Sequence, residues 1–299
     1  YEIGSGLVGS EMCIRDRANK EVKTHADEKG CWELQITTPA ASFEEYTLTL
    51  TDGEQSVTLQ HLLIGEVWLC AGQSNMVMPL NGFDYCPISD SNNVIADAPN
   101  HPGIRMVTIK PTVKLSPQEY AEGSWQQPTT ENAPKFSAAA YHYALTLQRT
   151  LQIPIGVITC AWGGSRVEGW LPKEILQTYK DEDLTLIGSD KTPVYLQSML
   201  MYNGILYPCH KYTIKGFIWY QGESNVRSSR TYAERLATMV KHWRSIWKQG
   251  DLPFYYVETV PFACEYKEDG YIGALLREAQ QKALSLIPNL SLIHISEPT

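Results

Sequence analysis

Ser74 stands in the segment AGQSNM (residues 71–76), directly after an apolar run, and that setting can make a hydroxyl a nucleophile. A serine at the mouth of a tight strand-to-helix turn exposes its Oγ and has backbone N–H groups beside it to receive an oxyanion. Two further segments carry matching parts. Gly163 and Gly164, within WGGSRVEGW (162–170), let the backbone approach a substrate and point an amide at it. Gln221 and Asn225, within QGESN (221–225), are neutral donors for developing negative charge, and Glu223 between them can orient its neighbours or cap a helix. Together these are the parts of acyl transfer. Each alone has an ordinary role: Ser74 as an N-cap, the glycine pair as a tight turn, the polar trio as turn and cap chemistry. Ser74 does not sit in G-x-S-x-G, because Met76 takes the second glycine position, so the α/β-hydrolase elbow does not fit.

The elements around these segments must hold them together. Apolar runs at 67–70, 104–109, 155–160, 215–220 and 254–258 read as strands, with helical patterns at 137–151, 232–248 and 273–286. Continuous apolar strands alternating with helices predict an α/β fold whose parallel sheet is covered on both faces. Ligands in such sheets bind beyond the carboxyl ends of the strands, near the topological switch point. Each chemical segment follows one of the strands, so all three are expected on one rim. Residues 84–102 and 179–193 read as surface insertions. Upstream, CWELQITT, EYTLTLTD and SVTLQHLL alternate with period two between turn signals at 27–30 and 52–53, which predicts antiparallel strands of a small β-sandwich.

Composition narrows the class of function. The 299 residues are 43% hydrophobic and 19% charged, with a formal net charge of -8, which excludes a disordered tail protein. No run of about 18 apolar residues is present and no basic block, so neither a membrane span nor a nucleic-acid partner is expected. The seven cysteines form no CxxC and no Cys/His cluster at zinc spacing, so no metal site is expected.

Both ends read as foreign. Residues 1–16 (YEIGSGLVGSEMCIRD) look like a translated sequencing-library adapter, and residues 290–299 (LSLIHISEPT) like its reverse complement. The expected organisation is therefore an adapter-like segment at 1–16, a partial β-sandwich domain at 17–64, a catalytic domain at 65–289 truncated at its C-terminal side, and an adapter-like segment at 290–299. Without Glu2, Glu11, Asp16, Glu297 and Arg15, 24 bases face 29 acids and the net charge becomes -5.

GQSNM, WGGSxVExW and IWYQGESN, in this order, resemble the sialate O-acetylesterase family of the SGNH hydrolase superfamily. The resemblance extends through Val67-Trp68-Leu69, Tyr202-Asn203-Gly204 and Arg277-Glu278-Ala279-Gln280, and covers nearly all of residues 17–289. It implies an SGNH-type three-layer sandwich preceded by a partial β-domain. Ser74 matches the nucleophile and also an oxyanion donor through its backbone N–H. Gly164, with Gly163 as the close alternative, matches the second donor. Gln221 stands where a third, side-chain donor is expected, with Asn225 as the other candidate. The implied substrate is an O-acetylated sugar, with no metal or organic cofactor, and the implied location is periplasmic or secreted in a bacterium.

One part is missing from the pattern. The family's general base is a His near the C-terminal end beside an orienting Asp, and neither stands at the expected place before Asn289. His294 follows at nearly the right distance, but position 291 is Ser and the segment reads as adapter, so His294 is not taken as catalytic. His25, His61, His101, His142, His210 and His242 fall in loops, the β-domain or helices. The catalytic His and Asp are therefore expected to be absent, and loss of a triad member costs orders of magnitude in rate. An acetylxylan esterase uses similar motifs, and a non-catalytic carbohydrate-binding protein that kept the cleft is the alternative of a different class.

Overall fold

The alternating runs before residue 65 form a sheet by pairing with one another. In the computed structural model, which describes residues 11–16, 21–52, 54–261 and 271–293, strands β1 (Glu11–Asp16), β2 (Glu21–His25), β3 (Ser42–Thr51) and β4 (Ser56–Ile64) form an antiparallel sheet in the order β2-β1-β3-β4. Asp52 closes the β3–β4 turn by accepting from the backbone N–H groups of Glu54 (3.0 Å) and Gln55 (2.6 Å), the local bonding that suits Asp to turns. Two of the three expected strands are present here. The first, at 31–38, is not a strand: alternation fits a segment for pairing, but a strand also needs a free neighbour. Among the described residues no second sheet completes a sandwich.

This sheet belongs to one compact unit, residues 1–66 with 151–154; the second unit comprises 67–150 and 155–299. Its sheet contains β5 (Glu66–Gly72), β6 (Ile104–Thr108), β7 (Ile155–Ala161), β8 (Gly216–Tyr220), β9 (Phe254–Val257) and β10 (Leu290–Ile293), in the order β10-β9-β8-β5-β7-β6. The pairs β6/β7, β5/β8, β8/β9 and β9/β10 all run parallel. Its helices are α1 (Ser74–Val77), α2 (Ser91–Asp97), α3 (Ala138–Leu151), α4 (Lys173–Leu176), α5 (Ser229–Trp247) and α6 (Ile272–Ala283). The fold is the expected α/β, SGNH-type arrangement.

Strand parity sends side chains to two helical layers. Phe217, Trp219 and Phe254 face α5, where Trp243 lies 5.4, 5.6 and 6.1 Å from their ring centroids. Trp68 and Tyr255 point to the opposite face, stacked on each other at 5.6 Å, and Trp68 meets Tyr143 of α3 edge-on at 5.2 Å. Such aromatic pairs contribute about 0.5–1.5 kcal/mol each beyond the area they bury. Trp170, which ends the WGGSRVEGW segment, joins Trp219 and Trp243 and is fully buried, so that segment is anchored in the core at one end.

Residues 290–293, expected from the sequence to be foreign, pair with β9. Any alternating run beside an unpaired sheet edge can add to it, so this pairing describes the segment's geometry and not its origin. His294 and residues 1–10 lie outside the described residues.

Where β5 ends, Gly72 has φ +146°, and a Cβ added there would stand 2.1 Å from the carbonyl oxygen of Tyr220. That neighbour is backbone and cannot swing aside. Gly72→Ala should lower unfolding free energy by about 3 kcal/mol or more, measured by urea denaturation; a loss under about 1 kcal/mol would show that the two strand ends are not held this closely.

Candidate active site

Three strand ends are stitched together at Gly72 and Gln73. The Trp162 N–H, just past β7, donates to the Gly72 carbonyl at 3.0 Å, and the Gln73 N–H donates to the Tyr220 carbonyl at the end of β8, also at 3.0 Å. The segments AGQSNM, WGGSRVEGW and QGESN therefore do share one carboxyl rim. Ser74 opens α1 half-buried. Gly163 faces it: a Cβ added to Gly163 would lie 3.9 Å from the Ser74 Cβ. Gly164 adopts φ +76°, and a Cβ there would stand 2.7 Å from the Tyr195 ring. Among the described residues, the backbone N–H groups of Ser74, Gly163 and Gly164 have no backbone acceptor. They remain available to a ligand.

The two side-chain amides of QGESN are occupied. Gln221 is fully buried; its Nε2 donates to the Ser165 carbonyl (3.0 Å) and to Asn225 Oδ1 (2.8 Å), while its Oε1 accepts from the Tyr232 hydroxyl (3.0 Å). Asn225 Oδ1 also accepts from the Val167 N–H (2.9 Å), and its Nδ2 donates to the Glu168 carboxylate and to Ser228 Oγ (3.1 Å). With two hydrogens on each amide, neither has one left for an oxyanion in this arrangement. Both instead bind the WGGSRVEGW backbone to the β8 turn. Gln280 of α6 extends the lattice, donating to the Gln221 carbonyl (3.2 Å) and accepting from the Thr259 N–H (3.0 Å).

Beneath them lies an ion pair that the sequence reading passed over. Glu168 is 0% exposed and Arg235 4%. The Arg235 guanidinium donates to Glu168 and forks onto both oxygens of Asp181 at 2.7 Å. Burial alone would lower the Arg235 pKa, but the hydrogen bond and charge of Glu168, with Asp181 and Glu182, more than reverse it. Arg166 lies 3.6 Å from Glu168 and 2.7 Å from Glu182. A signal was present: Arg235 shares a helical face with Tyr232, Leu236 and Met239, where a cation needs a partner.

Glu223 leans toward the turn that carries Ser74, accepting from Asn75 Nδ2 at 2.7 Å, while its Oε2 is buried without a partner. Burial pushes its carboxyl above the ordinary glutamate value, only partly offset by hydrogen bonds.

Four of the six described histidines bond other groups: His61 with Glu45, His101 with Asp97, His210 with the Tyr207 carbonyl and His242 with the Tyr202 hydroxyl. Among the described residues no group of three or more His, Cys, Asp or Glu could hold a metal ion, and no helix is long and apolar enough to cross a membrane. Two surface cavities, of about 440 and 390 Å³, are lined by residues such as Phe83, Tyr85 and Lys135 or Lys241, Arg244 and Pro288, and Ser74 is not in either lining.

The family model described as "Carbohydrate esterase, sialic acid-specific acetylesterase" matches residues 64–297. The chain belongs to this carbohydrate esterase family. It is 26% identical over 267 residues to the sialate O-acetylesterase of Homo sapiens, covering 83% of this chain and 50% of that protein. To that of Mus musculus it is 25% identical over 337 residues, covering 96% and 61%. The chain thus spans about half to three fifths of the length of these curated relatives. The crystal structure of XAC1771, a carbohydrate acetylesterase from Xanthomonas citri, superposes with a TM-score of 0.86 at 29% identity, over 99% of this chain and 65% of that one.

For this esterase-family chain two expectations follow. Glu168→Ala would take the buried acceptor from Arg235 and Asn225 while leaving Asp181 and Glu182 beside the guanidinium, and should cost about 2–3 kcal/mol in urea denaturation, whereas the double change Glu168→Leu with Arg235→Met should recover most of that loss. Equal losses in the two would show that the pair is not the support described. Because the folded-state pKa of Glu223 is raised, its favourable contribution is complete below the ordinary carboxyl pKa and is lost as pH rises through the folded value. Glu223→Gln should then unfold at a higher temperature than the parent at pH 7, with the gap closing near pH 4; a pH-independent gap would contradict this.

Proposed function

We propose that this protein is built to remove O-acetyl groups from sialic acid, with Ser74 as the nucleophile. The observation that carries the reading is the placement of Gly163 directly across from Ser74, with unclaimed backbone N–H groups on both sides of the gap. Ser74 Oγ attacks the acetyl carbonyl carbon, and the oxygen that gains charge is received by the N–H groups of Ser74 and Gly164, with Gly163 as the alternative. The general base takes the Ser74 Oγ proton and returns it to the sugar oxygen as the tetrahedral intermediate collapses, so that the sugar leaves as an alcohol and an acetyl-enzyme remains, which water hydrolyses to acetate. Gln221 and Asn225 serve this hole by holding the glycine loop against the β8 turn. Family membership and the likeness to a carbohydrate acetylesterase support the substrate class.

None of the described histidines is taken as the general base: His61, His101, His210 and His242 bond other groups, and His25 and His142 belong to β2 and α3. Residues 17–64 as a partial β-domain and 65–289 as the catalytic domain, flanked by the foreign segments 1–16 and 290–299, remain part of the same proposal. It follows that this chain hydrolyses acetyl esters poorly.

With an activated acetyl ester, the 299-residue chain should work at least about 1,000-fold more slowly than the same protein continued through its native C-terminal sequence. Ser74→Ala in the continued protein should abolish turnover. Full activity of that variant, or equal rates for the two lengths, would refute the reading. Competition between acetylated sialic acid and acetylated xylan then assigns the sugar; preference for xylan would make it an acetylxylan esterase, and sugar binding without acetate release a non-catalytic binder.

A further inference from the structure

Four side-chain amides stand on the motif turns of the rim: Gln73, Asn75, Gln221 and Asn225. The nitrogens of three are engaged, Asn75 with Glu223 and the other two in the lattice around Glu168. Gln73 differs. The residue is 3% exposed, and its Oε1 accepts from two backbone N–H groups, those of Gly222 (3.1 Å) and Ser224 (3.4 Å). Those donors fix the orientation of the amide, since the opposite flip would set an NH2 group against two N–H groups. Its Nε2 is left without a hydrogen-bond partner among the described residues. Gln73 Nε2 is not among the buried atoms that lack a partner, so it keeps contact with solvent and its hydrogens are open to a ligand.

The location suggests the use. Gln73 immediately precedes Ser74, and its side chain crosses to the turn after β8, where a third oxyanion donor is expected but where Gln221 and Asn225 have no hydrogen to give. We infer that Gln73 Nε2 is that third donor, hydrogen-bonding the acetyl carbonyl oxygen as it becomes an oxyanion, while Oε1 braces the β8 turn. This rests on the serine-esterase reading above.

The two ends of the amide can be separated by substitution in the protein continued through its native C-terminus. Gln73→Glu keeps an acceptor for Gly222 and Ser224 but replaces the donor; Gln73→Met removes both. Both variants should lower kcat for an activated acetyl ester by about 100- to 1,000-fold, the usual effect of losing one oxyanion donor, with KM changed less than about threefold. For Gln73→Glu the deficit relative to the parent should shrink as pH falls, because a protonated carboxyl regains a donor. A Gln73→Glu enzyme that matches the parent while Gln73→Met fails would reduce Gln73 to a brace and overturn the donor assignment. So would a loss that appears only in KM, or a deficit for Gln73→Glu that does not change with pH. Folding of each variant is checked by its unfolding midpoint, and a Gln73→Met chain that does not fold leaves the Gln73→Glu comparison decisive. Ser74→Ala separates the two levels: if it keeps turnover, the esterase reading falls and takes this inference with it, whereas a dead Ser74→Ala beside unimpaired Gln73 variants overturns this inference alone.

Discussion

The Glu168 carboxylate, wholly buried against Arg235 and Asn225, is the constraint on which the rest of the site depends. A charge in the interior demands a counter-charge and complete hydrogen bonding. Here that demand organises three segments remote in sequence. Arg235 brings in α5, Asn225 brings in the turn after β8, and Glu168 itself belongs to the loop carrying Gly163 and Gly164. A loop containing two adjacent glycines would be mobile if left alone. Tied at Val167 by Asn225 and at Ser165 by Gln221, it has little freedom at the residues that follow the glycines.

The layout of the second unit was legible in the sequence because it rests on local signals. Apolar runs of strand length alternated with amphipathic helices, and five strands and three helices appear within a few residues of where the patterns put them. The β-rich unit was less legible. Residues 31–38 alternate as well as β3 does, yet have no ladder, since pairing depends on a neighbour that one segment's pattern does not reveal. The converse holds at residues 290–293, where a short alternating run beside an open edge is paired.

For the site, the sequence was informative about which turns meet and less so about which atoms remain free. Motif order brought Ser74, Gly163, Gly164, Gln221 and Asn225 to one rim. It did not distinguish a donor facing the cleft from one consumed inside the protein, because that depends on side-chain direction and on partners such as Ser165, Tyr232 and Glu168. Gln73 was overlooked for the same reason. A glutamine beside a serine looks incidental until its oxygen is found bonded to a turn some 150 residues away.

Gly72 has a consequence for how such a site can vary. The space of its missing side chain is filled by the carbonyl of Tyr220, and every single-base change in a glycine codon that alters the amino acid introduces a Cβ. The junction between β5 and β8 is therefore closed to one-step change, and so is the spacing between the serine turn and the turn that Gln73 grips. Variation at this rim has to come through other positions, such as Tyr195, whose ring lies against Gly164, while the crossing of the two strand ends stays fixed.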